Sequence, residues 1–205
     1  MNKAFSQEKS SPQATEKPEK ADSPLKKRKK ISQSYLENSA AYYLQRFTAS
    51  TSRFRLVMKR KIDLSCRDHP EQNKEQCYDM LDQLVSKFQE LGYLNDSSYS
   101  KGLHYSLSQR GYSRQKIRFH MMSKGLSEDM ITEAMGDTDQ ASEIIQGLRY
   151  AKRKKIGPFA IQEQDLQKSL ASLARNGFRY DISTKILEMN QEEALSLLDE
   201  ASSLL

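Results

Sequence analysis

The chain has 205 residues, with 33 Lys and Arg against 27 Asp and Glu, and a net charge of +6. No apolar run approaches the roughly 18 residues of a membrane-spanning helix, and the N-terminal residues lack the apolar stretch of a secretory signal. Two cysteines, Cys66 and Cys77, make no disulfide framework, so a reducing cytoplasm with no membrane partner is the expected setting.

Residues 1–34 carry Pro12, Pro18 and Pro24 among Ser, Lys and Glu and end in the basic run PLKKRKKIS. So little apolar surface cannot offset the entropy of ordering, and the segment reads as a disordered basic tail. From residue 35 the pattern turns helical. Ala40, Tyr43, Leu44 and Phe47 recur at helical spacing, followed by Met80, Leu81, Leu84, Val85, Phe88 and Leu91. The stretch between, SCRDHPEQNKEQ at 65–76, reads as a flexible insertion that holds Cys66 and is followed directly by Cys77. Asn95 or Asp96 is placed to cap a helix over 96–110, Ser113 one over 113–124, and Ser127 one over 128–135. Gly92, Gly111 and Gly125 fall where those helices should stop. GPFAIQE at 157–163 reads as a loop, and Leu166, Leu170, Leu173 and Ala174 resume the helical spacing.

The punctuation repeats. KGLSEDMITEAM at 124–135 matches NGFRYDISTKIL at 176–187 with an offset of 52 residues, and YSKGLHYSL at 99–107 matches IIQGLRYAK at 144–152 with an offset of 45. A fainter copy sets Phe54 and Met58 on Ile117 and Met121, 63 residues on. The expected fold is all-α: three tandem three-helix, helix-turn-helix-like repeats in an elongated curved array. Its units would span 35–92, 93–136 and 137–205, the last including a C-terminal helix.

Charge follows the same period. Residues 38–62 and 97–127 each hold six Lys or Arg and no acid, and residues 144–162 hold five and no acid. Any one such window is ordinarily a solvated helix face. Three in the same relative place point to a continuous basic surface for a polyanion or an acidic partner groove. Tyr35, Tyr42, Tyr43, Tyr99, Tyr105, Tyr112 and Tyr150 lie in or beside the windows; aromatics there serve packing more often than base stacking. On the helix over 113–124, Ile117 and Met121 share a face, but Phe119 and Met122 point elsewhere, toward another unit or a partner protein.

Catalytic chemistry is missing. His69, His104 and His120 lack motif partners, and no Gly-rich phosphate loop is present. Cys66, His69 and Cys77 fall short of the four ligands of structural zinc. No enzyme activity, metal or cofactor is expected. QRGYSRQKIRF also reads as the turn and recognition helix of a helix-turn-helix, which leaves an independent DNA-binding protein as the second reading.

The central stretch resembles the RecX family, bacterial regulators of the RecA recombinase. The resemblance rests on Gly92-Tyr93-Leu94-Asn95-Asp96, then Arg110-Gly111-Tyr112-Ser113, then Lys116-Ile117, then Lys124-Gly125-Leu126. The outer repeats fit more loosely, and residues 38–190 are covered. Asn95 stands where the family usually has Asp, and His120 where an acid is common. The resemblance implies three three-helix repeats and a non-enzymatic role in DNA repair, homologous recombination and the SOS response. It implies a protein that binds the RecA filament on single-stranded DNA and restrains ATP hydrolysis and strand exchange. A monomer is expected. The residues assigned to the docking face are Arg110, Arg114, Lys116, Arg118 and Lys124 in the middle unit and Arg149, Lys152, Arg153, Lys154 and Lys155 in the third.

Overall fold

The computed structural model describes residues 27–203 apart from 138, 163 and 164. Every regular element among the described residues is helical. The first three helices are α1 (Gln33–Leu44), α2 (Thr51–Asp68) and α3 (Lys74–Glu90). Next come α4 (Asp96–Gln109), α5 (Arg114–Ser123) and α6 (Glu128–Met135). Then follow α7 (Gln140–Lys154), a 3-10 turn (Gly157–Phe159), α8 (Leu166–Arg175), α9 (Tyr180–Glu188) and α10 (Gln191–Ser203). No helix among the described residues is long and apolar enough to cross a membrane.

Helix starts follow the local chemistry. Asn95, Ser113 and Ser127 each accept a hydrogen bond from the backbone N–H three residues on, satisfying an otherwise unpaired donor of the first turn. Gly92, Gly111 and Gly125 all stop helices with positive φ. Where apolar spacing ran past a helix end, burial stops. Phe47 lies beyond α1 and is exposed, as are Leu91 just after α3 and Leu166 at the start of α8.

Burial sorts the ten α-helices among the described residues into groups of three, three and four. Leu36, Phe54, Ile62, Leu81 and Leu84 lie in one cluster under α1–α3. Leu107, Ile117, Met121 and Ile131 form another under α4–α6. Leu148, Leu173, Ile182, Ile186 and Leu198 form a third under α7–α10. Each such side chain contributes about 1.5–3 kcal/mol on leaving water.

The groups meet end to end. The Ser50 hydroxyl, which caps α2, donates to the carbonyl of Lys124 at the end of α5. The Ser113 hydroxyl, which caps α5, donates to the carbonyl of Asn176 at the end of α8. The serines are 63 residues apart and the carbonyls 52, the offsets that relate the sequence motifs. In both junctions the positive end of one helix dipole faces the negative end of the next. This arrangement is compatible with tandem repeats. At the second junction Gly111 adopts φ +69, and a Cβ there would lie 2.4 Å from the Tyr150 nitrogen of α7. Glycine therefore lets α4 end directly on the α7 backbone.

Two expectations change. Residues 65–76 are not a flexible insertion: Ser65–Asp68 complete α2, Lys74–Gln76 begin α3, and Cys77 is buried in the first core. Those residues also fasten the end of the basic run. Residues 1–26 of the expected tail lie outside the described residues, but from residue 28 the chain is held. Ile31 is buried and exchanges hydrogen bonds with the Gln72 amide at 3.1 and 3.0 Å. The Arg28 N–H and guanidinium both donate to Asp68 at 3.0 Å, holding that carboxyl below the usual carboxylate range. His69 places Nε2 2.7 Å from the Arg28 carbonyl, a contact that fits the Nε2–H tautomer as donor.

A cationic face gathered on Tyr112

The turn from α4 to α5 puts Tyr112 between two cations of its own unit. Arg110 ends α4 and Lys116 lies one turn into α5; their charged groups sit 5.4 and 5.3 Å from the Tyr112 ring centre. The close approach at Gly111 brings α7 alongside, and Arg153 reaches the same ring at 5.4 Å and the Tyr150 ring at 5.4 Å. Three cations from two units therefore share one aromatic residue. None of the three has an ion-pair partner among the described residues. Cation–π attraction at an exposed site is worth about 0.5–1 kcal/mol, so the ring steadies the cations without cancelling their charge.

His120 lies four residues after Lys116 and meets the Tyr112 ring edge-on at 5.3 Å. Burial pushes its pKa below the ordinary 6.5, and Lys116, Lys124 and Arg110 push the same way. The imidazole is held neutral near pH 7 and adds no charge to the face.

The other assigned residues divide by what they touch. Arg114 donates to the carbonyls of Met135 at 3.3 Å and Gly136 at 2.8 Å, closing the end of α6. Arg118 pairs with Glu128 across the α5–α6 turn. Lys124 gives its carbonyl to Ser50, while its charge reaches His120. Arg149 is half-buried, and burial lowers its pKa. Lys152 and Lys154 stand exposed on the last turn of α7, and Lys155 ends that helix in the left-handed conformation. Lys154 also lines a cavity of about 610 Å³ together with Lys168, Arg175 and Asp165, and Asp165 pairs with Lys168.

The structure thus gathers Arg110, Lys116 and Arg153, leaves Lys152 and Lys154 nearby in sequence on α7, and ties Arg114 and Arg118 into local bonds. Tyr112 as the shared ring was missed. Its signal was present in RGYSRQK, an aromatic flanked on both sides by cations. Lys168 and Arg175 were missed because they lie outside the acid-free windows. On the outer side of α5, Phe119 and Met122 are 68% and 54% exposed. Among the described residues no other unit buries them, and they lie close to the cationic residues along the same short helix.

No protein-family model matches the chain. Curated proteins called Regulatory protein RecX do, among them three from different bacteria. The one from Myxococcus xanthus is 32% identical over 170 residues, covering 80% of this chain and 90% of that protein. The one from Agrobacterium fabrum is 26% identical over 172 residues, covering 82% and 90%. The one from Caldanaerobacter subterraneus is 22% identical over 147 residues, covering 72% and 73%.

Proposed function

This chain belongs to the RecX family, and from that membership we propose that it is a non-enzymatic regulator of RecA, acting on RecA filaments assembled on single-stranded DNA. The observation that carries the reading is the convergence of Arg110, Lys116 and Arg153 on Tyr112 with no ion-pair partner among the described residues. The reading requires a filament groove with acidic side chains or DNA phosphates within reach. A cationic face built from two units suits it through charge complementarity and counterion release. Phe119 and Met122 supply an exposed apolar contact beside those charges, as protein interfaces combine an apolar centre with polar surroundings. Occupying the groove would restrain ATP hydrolysis and strand exchange, placing the protein in recombination, DNA repair and the SOS response in the cytoplasm.

We propose a narrower docking face than the one assigned from the sequence. Arg114 and Arg118 have local work, so the docking charge falls on Arg110, Lys116 and Arg153, with Lys152 and Lys154 beside them. The test is the steady-state ATPase of the cognate RecA on single-stranded DNA, titrated with this protein at two salt concentrations. The expected result is a fall in rate at substoichiometric protein that weakens at higher salt. An unchanged ATPase, with tight sequence-dependent binding to naked DNA, would instead establish an independent DNA-binding protein.

A further inference from the structure

The first unit carries a second cationic surface of different construction. Between α1 and α2 runs a groove of about 470 Å³, within the range of clefts that hold small ligands. Its aromatic residues are Tyr35, Tyr42, Tyr43 and Phe47, and Val57 and Leu64 of α2 also line it. Tyr42 and Phe47 are 56% and 55% exposed. Lys29, Arg46, Arg60 and Lys61 line the same groove, and none has an ion-pair partner among the described residues.

Helical spacing explains how the groove is made. Tyr42 and Arg46 are four residues apart, and the Arg46 guanidinium sits 4.3 Å from the Tyr42 ring centre. The Lys61 ammonium sits 4.9 Å from the Tyr35 ring centre. Tyr43 and Phe47 are also four apart, with ring centres 5.3 Å from each other. No acid lines the groove. Glu37, on α1, is instead paired with Lys87 of α3.

Charge alone would suit any polyanion; the exposed rings narrow the choice. Duplex DNA keeps its base faces stacked, and the carboxylate side chains of an acidic peptide bring charge without an aromatic face. Unpaired bases have both a π-face and a phosphate within reach, and alternating aromatics and cations form the platform that takes them. We propose that the α1–α2 groove is a subsite for the unpaired bases of single-stranded DNA, separate from the face at Tyr112. The proposal rests on the RecA-filament reading for the identity of the strand, and on the groove itself for the mode of binding. It gives the first unit contact with DNA while the second and third units dock on the filament.

The experiment measures fluorescence anisotropy of a labelled oligothymidylate of about 15 nucleotides with the full chain and no RecA. The same measurement uses an abasic oligomer of equal length and a polyglutamate peptide as competitor. The expected result is tighter binding of oligothymidylate than of the abasic strand. Tyr42→Ala combined with Phe47→Ala should weaken oligothymidylate about tenfold or more and leave the abasic strand little changed. Both side chains are more than half exposed, so the double variant should keep wild-type helicity by circular dichroism; Tyr42→Leu with Phe47→Leu, which keeps bulk and removes the π-faces, should lose the same preference. Equal affinity for the two strands, or an unchanged preference in the folded variants, would overturn the base subsite. Displacement by polyglutamate of a strand bound without preference for bases would show an acidic-peptide groove instead. Failure here with RecA ATPase still restrained removes only the groove. Base-dependent binding without any effect on ATPase removes only the filament reading.

Discussion

The first and middle units build similar three-helix groups from unequal material. In the first, α2 and α3 run 18 and 17 residues over a cluster of twelve buried residues. In the middle, α5 and α6 run 10 and 8 residues over six. At about 1.5–3 kcal/mol for each large buried side chain, the middle unit is several side chains poorer. It compensates at its borders, where Lys124 receives Ser50, Ser113 reaches Asn176, and Gly111 rests on α7. The unit with the smallest core also holds two of the three cations at Tyr112. Its junctions therefore govern both stability and the position of the face.

The largest effect should come from the tightest junction. Gly111→Ala combines a disfavoured φ with a Cβ placed 2.4 Å from backbone, and is expected to cost about 3 kcal/mol or more. Gly92→Ala has a similar φ of +76 but open space around its Cβ, so only the conformational cost of about 1–2 kcal/mol applies. Thermal melts of the two variants measure the difference, and equal losses would remove the special status of the α4–α7 contact. Next comes Ser113→Ala, which strips the α5 cap and leaves a buried Asn176 carbonyl without its donor; about 2 kcal/mol is expected. Ser50→Ala should behave alike in urea titrations, and the two losses should add because the junctions share no residue.

A smaller contrast separates two arginines on one helix. Arg114→Met removes donors from the end of α6 and is expected to cost about 1 kcal/mol. Arg118→Met breaks only an exposed pair with Glu128 and should stay within about 0.5 kcal/mol. The smallest effect is pH-dependent. His104 and His120 both have folded pKa values below 6.5, chiefly from burial, with Arg114 acting on His104 and Lys116, Lys124 and Arg110 on His120. Below about pH 6.5 the unfolded chain binds more protons than the folded one. Their contribution is thus complete above that pH and lost as pH falls through the depressed folded values. Melting temperature should decline on acidification in that range, and more shallowly in a His104→Asn, His120→Asn variant.

The middle unit was the most legible part of the sequence because its signals are local. Asn95, Ser113 and Ser127 cap within three residues, and Ile117 and Met121 mark the buried side of α5. The α2–α3 region was less legible because what orders it arrives from elsewhere: Ser65, Asp68, His69 and Gln72 are polar residues satisfied by residues 28–31. At the site, sequence marked the cations but not which are neutralised. Glu128 lies just past the acid-free window yet pairs with Arg118 inside it. Arg153 meets Tyr112 only because Gly111 admits α7.

The central claim, that the cations at Tyr112 dock the protein on a RecA filament, is tested most directly by filament affinity at two salt concentrations. The comparison sets wild-type protein against a variant carrying Arg110→Glu, Lys116→Glu and Arg153→Glu. Wild-type affinity should fall steeply with salt. The folded triple variant should bind at least about tenfold more weakly, with a shallower salt dependence. A variant with wild-type helicity, wild-type affinity and the same salt slope would contradict the account.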